Sequence, residues 1–151
     1  MDYTIKSQPP ESEEIKELSA SLHRDLELRY GKGSIEDFIE ENKTMLIFFV
    51  CRDVKNKAVA CGALKHFDDS TAEIKRMYVA KDSRGKGLSK LILRKLEETA
   101  SLMNYNRIIL ETGLKQPEAI MLYEKSGYTK IETYGRHKDD PDSVCYGKMI
   151  T

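Results

Sequence analysis

Residues 73–96 read EIKRMYVAKDSRGKGLSKLILRKL, and the parsing of this stretch decides the rest of the chain. The opening EIKRMYV is rich in branched and aromatic side chains, as a strand is, whereas Leu88, Leu91, Ile92 and Leu96 recur at helical spacing. Gly85 and Gly87 join the two. A glycine loop feeding a helix N-terminus leaves several backbone N–H groups unpaired and outward-facing, which suits a phosphate or pyrophosphate. The same glycines also serve an ordinary strand-to-helix turn, so the pair alone does not choose. A dinucleotide fingerprint needs a third glycine near Lys90, and a P-loop needs a Gly-Lys-Ser/Thr ending that RGKGLS lacks. What remains is a site in which Arg84 and Lys86 supply positive charge and the N–H groups from Gly85 to Ser89, Leu88 included, cradle a pyrophosphate.

Upstream, Thr71 to Val79 completes a strand on which positions 73, 75, 77 and 79 are expected to share one face and 74, 76 and 78 the other. That assignment puts Glu73 beside Met77 and leaves Lys75 and Arg76 on opposite faces. Ala58 to His66 and Thr44 to Arg52 precede it as the other strands of a meander, the latter apolar enough to be covered on both faces. Helices are expected from Glu11 to Tyr30 and from Ser34, where Asp37 three residues on forms a capping-box pattern, and Tyr3 to Lys6 reads as an edge strand. Downstream, the helix beginning at Leu88 runs to about Asn104 and Arg107 to Glu111 forms a strand. That strand-helix-strand order predicts a right-handed crossover with the 71–79 and 107–111 strands parallel. A helix opening at Gln116-Pro117 and closing at Gly127, then strands at Tyr128 to Tyr134 and Val144 to Ile150, complete the chain.

At 151 residues with 40% hydrophobic content, the chain is expected to be one domain over residues 1–151 with no need of a metal or disulfide. Its 25 basic and 25 acidic residues generate no global field for nucleic acid or a membrane surface. Cys51, Cys61 and Cys145 lack metal-ligand spacing and read as buried free thiols, and His23, His66 and His137 form no constellation, so no metal is expected. The polar, acidic N-terminus and the lack of a long apolar run predict a cytoplasmic protein.

The strand order, the RGKG loop and the later helix AIMLYEKSGY together resemble the GNAT superfamily of N-acetyltransferases over nearly the whole chain. The resemblance implies a mixed α/β sheet of about seven strands and four helices, with a splayed parallel pair opening a cleft for acetyl-coenzyme A. The pantetheine arm would extend the strand ending Met77-Tyr78-Val79 by backbone hydrogen bonds. Two positions depart from the family pattern: Asp82 stands where Gln or Arg is usual before the loop, and Gln116 where Asn is usual before the later helix.

The resemblance also implies roles. Tyr123 matches the tyrosine that sits by the cofactor sulfur and would protonate the departing thiolate, and Glu73 corresponds to a glutamate that serves as base in some members. Glu73 equally reads as an outward carboxylate paired with Lys75 or Lys65. A backbone N–H near Met77 or Tyr78 would meet the developing oxyanion. Arg29, Tyr30 and the GRHKDD loop with Arg136 would form the acceptor side. A guanidinium there could grip the carboxylate of a small amine or amino acid, although exposed arginines on loops are also ordinary. The expected reaction is direct acetyl transfer to a primary amine in a ternary complex. Competing readings are a catalytically silent acyl-CoA-binding or sensor module and an acetyltransferase acting on protein lysines or N-termini. The two C-terminal strands offer an edge for a homodimer.

Overall fold

The structure, a computed structural model, describes residues 2–31 and 33–151. Strand β1 (Thr4–Gln8) is cut off by Pro9-Pro10 from helix α1 (Glu13–Tyr30). Ser12 caps α1 by accepting from the Ile15 N–H at 3.3 Å, and Glu13 and Glu14 complement its dipole. Helix α2 (Ile35–Glu41) starts at Ser34, whose hydroxyl accepts from the Asp37 N–H as the capping pattern predicts. A 3-10 turn at Asn42–Thr44 leads into β2 (Ile47–Arg52), shorter at its start than expected.

The meander continues through β3 (Ala58–Asp68) and β4 (Thr71–Val79), and α3 (Leu88–Leu102) crosses over to β5 (Arg107–Gly113). Helix α4 (Pro117–Lys125) has its proline in the first turn, and β6 (Thr129–Ile131) and β7 (Ser143–Met149) follow. The seven strands lie in the order β1-β2-β3-β4-β5-β7-β6 and, with the four α-helices, realise the expected mixed α/β architecture. Among the described residues only β4 and β5 run parallel. Their pairing covers Thr71–Glu73 against Arg107–Ile109 and then stops, so the strands part toward their C-terminal ends.

The sheet is packed on both faces. Phe49, Cys51, Leu64, Ile74, Ile108 and Leu110 meet Ile92, Leu96 and Tyr123 from α3 and α4, while Phe48, Val50, Cys61 and Ala63 meet Ile15 and Leu18 of α1. The strand β2 is accordingly buried on both sides, and all three cysteines are buried free thiols. No helix among the described residues is long and apolar enough to cross a membrane.

Two expectations fail for physical reasons. Strict alternation along β4 is broken by a bulge: Cys61 pairs with Tyr78 but Ala63 with Lys75, so Arg76 and Met77 together oppose Gly62, and Arg76 adopts φ +63°. Lys75 and Arg76 therefore point to the same face, toward α2, and Met77 turns to the α3 face, away from Glu73. The strand expected over residues 128–134 is paired only at Thr129–Ile131. Beyond it the chain leaves the sheet edge, carrying Tyr134 to Glu73, where its hydroxyl donates at 2.7 Å.

Candidate active site

Where β4 and β5 part, a cavity of about 490 Å³ opens, lined by the end of β4, the 83–89 loop, β5, α4 and the 136–137 turn. Its size suits a small ligand or the reactive end of a larger one.

One end of the cleft is the glycine loop. Gly85 and Gly87 have φ of +80° and +78°, the left-handed region that glycine enters without strain. A Cβ at either would meet nothing within 4 Å, so this backbone faces open space. Gly87 caps α3 without a side chain, and among the described residues the N–H groups from Gly85 to Ser89 find no acceptor within the protein. Unanswered donors beside open space fit a pyrophosphate such as that of acetyl-coenzyme A. Leu88 is buried in the core, which leaves only its backbone for a ligand, whereas Lys86 is exposed.

Arg84 does not extend over this loop. Its Nε donates to the Val79 carbonyl at 2.8 Å and its terminal nitrogen pairs with Asp25 at 2.9 Å, folding the side chain back onto the end of β4 and α1. Gln116 is similarly engaged, because its side-chain oxygen accepts from the Tyr30 hydroxyl at 3.3 Å. That hydroxyl also accepts from the Lys115 N–H at 3.0 Å, and a Cβ at Gly113 would overlap it. Tyr30 thus ties the end of α1 to the β5–α4 junction rather than standing free.

The middle of the cleft holds the proton-transfer candidates. Tyr123, on α4, is 5% exposed and lines the cleft, and its hydroxyl has no hydrogen-bond partner among the described residues. Burial, and secondarily the charge of Glu111, push its pKa well above the ordinary phenol value, so it stays protonated. Glu73, 8% exposed, sits on β4 at the point where pairing with β5 ends, held by Tyr134. Its ion-pair reading is not realised: Lys65 and Lys75 both pair with Glu41.

Glu111 was missed by sequence reasoning. It lies two residues beyond Ile109, the partner of Glu73 in the parallel register, and so points to the same face across the widening gap. Burial raises its pKa, while a 2.8 Å hydrogen bond from Ser143 and the charges of Lys75 and Arg136 oppose the rise. His137 stands 3.7 Å away, and burial with Lys75 and Arg136 lowers its pKa. Glu111 belonged to a segment that read only as a short apolar strand; the parallel register is the signal that could have located it.

Of the residues expected on the acceptor side, Arg29 lines the cleft but donates to the Lys115 carbonyl at 2.9 Å and pairs with Glu118 at 2.6 Å. Arg136, 69% exposed, approaches Glu41 at 3.7 Å. Arg76 is buried against Phe38, 3.6 Å from its ring, and donates to Asn42 at 2.9 Å, to the Phe38 carbonyl at 3.0 Å and to Glu41 at 2.9 Å.

Two splayed strands leading to a run of unanswered N–H groups, with a buried phenol in the gap, are the arrangement of an acyl-coenzyme A-dependent N-acyltransferase. Residues 12–128 match the family described as Acetyltransferase (GNAT) family, and the chain belongs to it as an acetyl-coenzyme A-dependent enzyme. It is 29% identical over 150 residues to an IAA acetyltransferase of Azospirillum brasilense, covering 97% of each chain. It is 39% identical over 66 residues to the human N-acetylaspartate synthetase, a match spanning 44% of this chain and 22% of that one. Among solved structures, a protein of Klebsiella pneumoniae assigned as an acyl-CoA N-acyltransferase aligns with a TM-score of 0.83 at 29% identity, over 99% of this chain and 98% of that one. A GNAT family acetyltransferase of Elizabethkingia anophelis with acetyl-CoA bound shares the fold, with a TM-score of 0.74 at 17% identity over 97% of each chain.

Proposed function

We propose that this protein, one acetyltransferase domain over residues 1–151, transfers an acetyl group directly to the primary amine of a small molecule, with amino acids as the favoured class. The observation that carries the reading is the placement of Tyr123 and Glu73 on two walls of one cleft whose far end is the glycine loop. A relative named for making N-acetylaspartate supports an amino acid acceptor. Acetyl-coenzyme A supplies an activated thioester that an uncharged amine can attack.

In this reading the backbone of Gly85 to Ser89 with Lys86 holds the pyrophosphate, and the Met77-Tyr78-Val79 backbone aligns the pantetheine arm. The Val79 carbonyl accepts from Arg84 at 2.8 Å, so this arm either shares that acceptor or uses the neighbouring groups. A primary amine with a pKa of about 10.4 arrives mostly protonated. Glu73 accepts the proton that the amine must lose, and Tyr123 gives one to the sulfur. A backbone N–H near Met77 or Tyr78, at the bulge, steadies the negative charge that develops on the carbonyl oxygen.

Release of free thiol from acetyl-coenzyme A in the presence of an amine panel tests this. Tyr123→Phe is expected to lower kcat by about 10²-fold or more while acetyl-coenzyme A binds as before. Unchanged turnover would remove Tyr123 from the mechanism, and cofactor binding with no transfer to any amine would leave a silent binding module.

A further inference from the structure

Glu41, the last residue of α2, is the only ion-pair partner that four cations share among the described residues: Lys65 at 3.0 Å, Lys75 at 3.6 Å, Arg76 at 2.9 Å and Arg136 at 3.7 Å. One carboxylate is thus divided among four cations, and Glu73 and Glu111 also act on Lys75 through the cleft without forming an ion pair with it. Lys65 does not line the cavity, whereas Lys75, Arg76 and Arg136 do. Arg76 is spent on Asn42, Phe38 and Glu41. Lys75 and Arg136 remain, each with a single long contact to Glu41.

We infer that Lys75 and Arg136 form the seat for a carboxylate on the acceptor, so that the substrate is an amino acid held with its amine toward Glu73. The inference rests on the acetyltransferase reading above and names the residues that would select an amino acid at that site. Lys75 and Glu73 lie two positions apart on the same face of β4, about 7 Å along the strand. An amine and a carboxylate separated by two or three bonds, each with a hydrogen bond at its end, span that distance. Lys75 side chain is only 12% exposed, so a carboxylate reaching it is held away from bulk screening, where charge-assisted hydrogen bonds are strong. His137 beside the seat is driven toward its neutral form by burial and then by Lys75 and Arg136, with Glu73 and Asp140 opposing them. Arg29, tied to Glu118 and the Lys115 carbonyl, is not part of the seat. The transfer itself is unchanged: the N–C bond forms, the C–S bond breaks, the amine proton leaves toward Glu73 and the sulfur takes one from Tyr123.

The test is thiol release with matched pairs, each an amino acid and its decarboxylated amine, on the wild type and on Lys75→Met, Arg136→Gln, Lys75→Arg and Lys65→Met, with thermal melts to confirm folding. The wild type is expected to favour the carboxylate-bearing member by tenfold or more in kcat/KM. Lys75→Met and Arg136→Gln should each remove about tenfold of that preference, mainly through KM. Lys75→Arg should keep most of it, and Lys65→Met all of it. Equal or better use of the decarboxylated amines, or a preference that survives both substitutions, overturns the seat. Calorimetric binding of N-acetylated amino acids against N-acetylated amines gives a readout independent of turnover. If no amine of either kind is acetylated, the acetyl-transfer reading fails. Binding that needs the carboxylate, Lys75 and Arg136 would still support the seat, and binding indifferent to them would overturn it.

Discussion

Glu73 and Glu111 present the same functional group to one cleft in different settings. Glu73 accepts from the Tyr134 phenol at 2.7 Å, while Glu111 accepts from Ser143 at 2.8 Å and is raised in pKa by burial. A carboxyl with a raised pKa is uncharged to a higher pH, so a base of that kind becomes active later as the pH rises. With Glu73 as the base, Glu73→Gln is expected to lower kcat/KM by about 10²-fold at neutral pH. Glu111→Gln should lower it far less. A loss of that size in Glu111→Gln alone would transfer the role to Glu111.

At the scale of elements, the decisive features are a bulge and a loop. The bulge in β4 costs an arginine in the left-handed region, a strain of about 1–3 kcal/mol, and Arg76 is kept there by its stacking on Phe38 and its bonds to Asn42, Phe38 and Glu41. Gly62 opposite the bulge is required by packing, since a Cβ there would lie 2.6 Å from Ile92 and 2.8 Å from the Met77 sulfur. In the loop the constraint on Gly87 is conformational, because its φ is +78° with space around it. Gly87→Ala is therefore expected to destabilise the fold by only about 1–2 kcal/mol. Its methyl group would face the open side of the loop, so titration calorimetry should show weaker acetyl-coenzyme A binding, while kcat at saturation stays near that of wild type. Unaltered affinity would argue that the loop backbone does not hold the cofactor.

Over the whole molecule, Glu41 joins layers that are distant in sequence, since its partners come from β3, β4 and the 135–137 turn. Burial alone would raise its pKa, but Arg76, Lys75 and Lys65 outweigh that and hold it down at about 2, against an ordinary 4.5. A carboxyl depressed on folding stabilises the protein above its unfolded pKa, and that contribution is lost as the pH falls from about 4.5 toward about 2. Glu41→Gln should thus lower the melting temperature at pH 7. The gap from wild type should narrow progressively below about pH 4.5; a gap independent of pH would mean that the ion pairs contribute nothing. The same carboxylate ties α2 to Lys75 and Arg136 on the cleft wall, so with the proposed acceptor seat there the variant is also expected to disturb substrate KM.

Local chemistry was enough to determine much of this. Ser12, Ser34, Pro117 and the loop glycines fix where helices begin, and apolar runs with turn residues between them fix the strands, because caps and periodicity act over a few residues. The RGKG loop and the LYEKSGY helix pointed to the acetyltransferase family for the same reason, since both are contiguous. Contacts between distant segments were decided only in the tertiary structure. The bulge at Arg76 reversed the predicted facing of Met77 and brought Lys75 and Arg76 together, because a side chain on α2 competes for the arginine and the ladder yields one residue. Arg84 turned back to Asp25, and Glu111, two residues beyond the partner of Glu73, came onto the same face of the cleft only through the parallel register. The stretch 73–96 thus carried the glycine loop in its own residues, whereas the groups opposite it depended on which strands lay alongside and where their hydrogen bonds gave out.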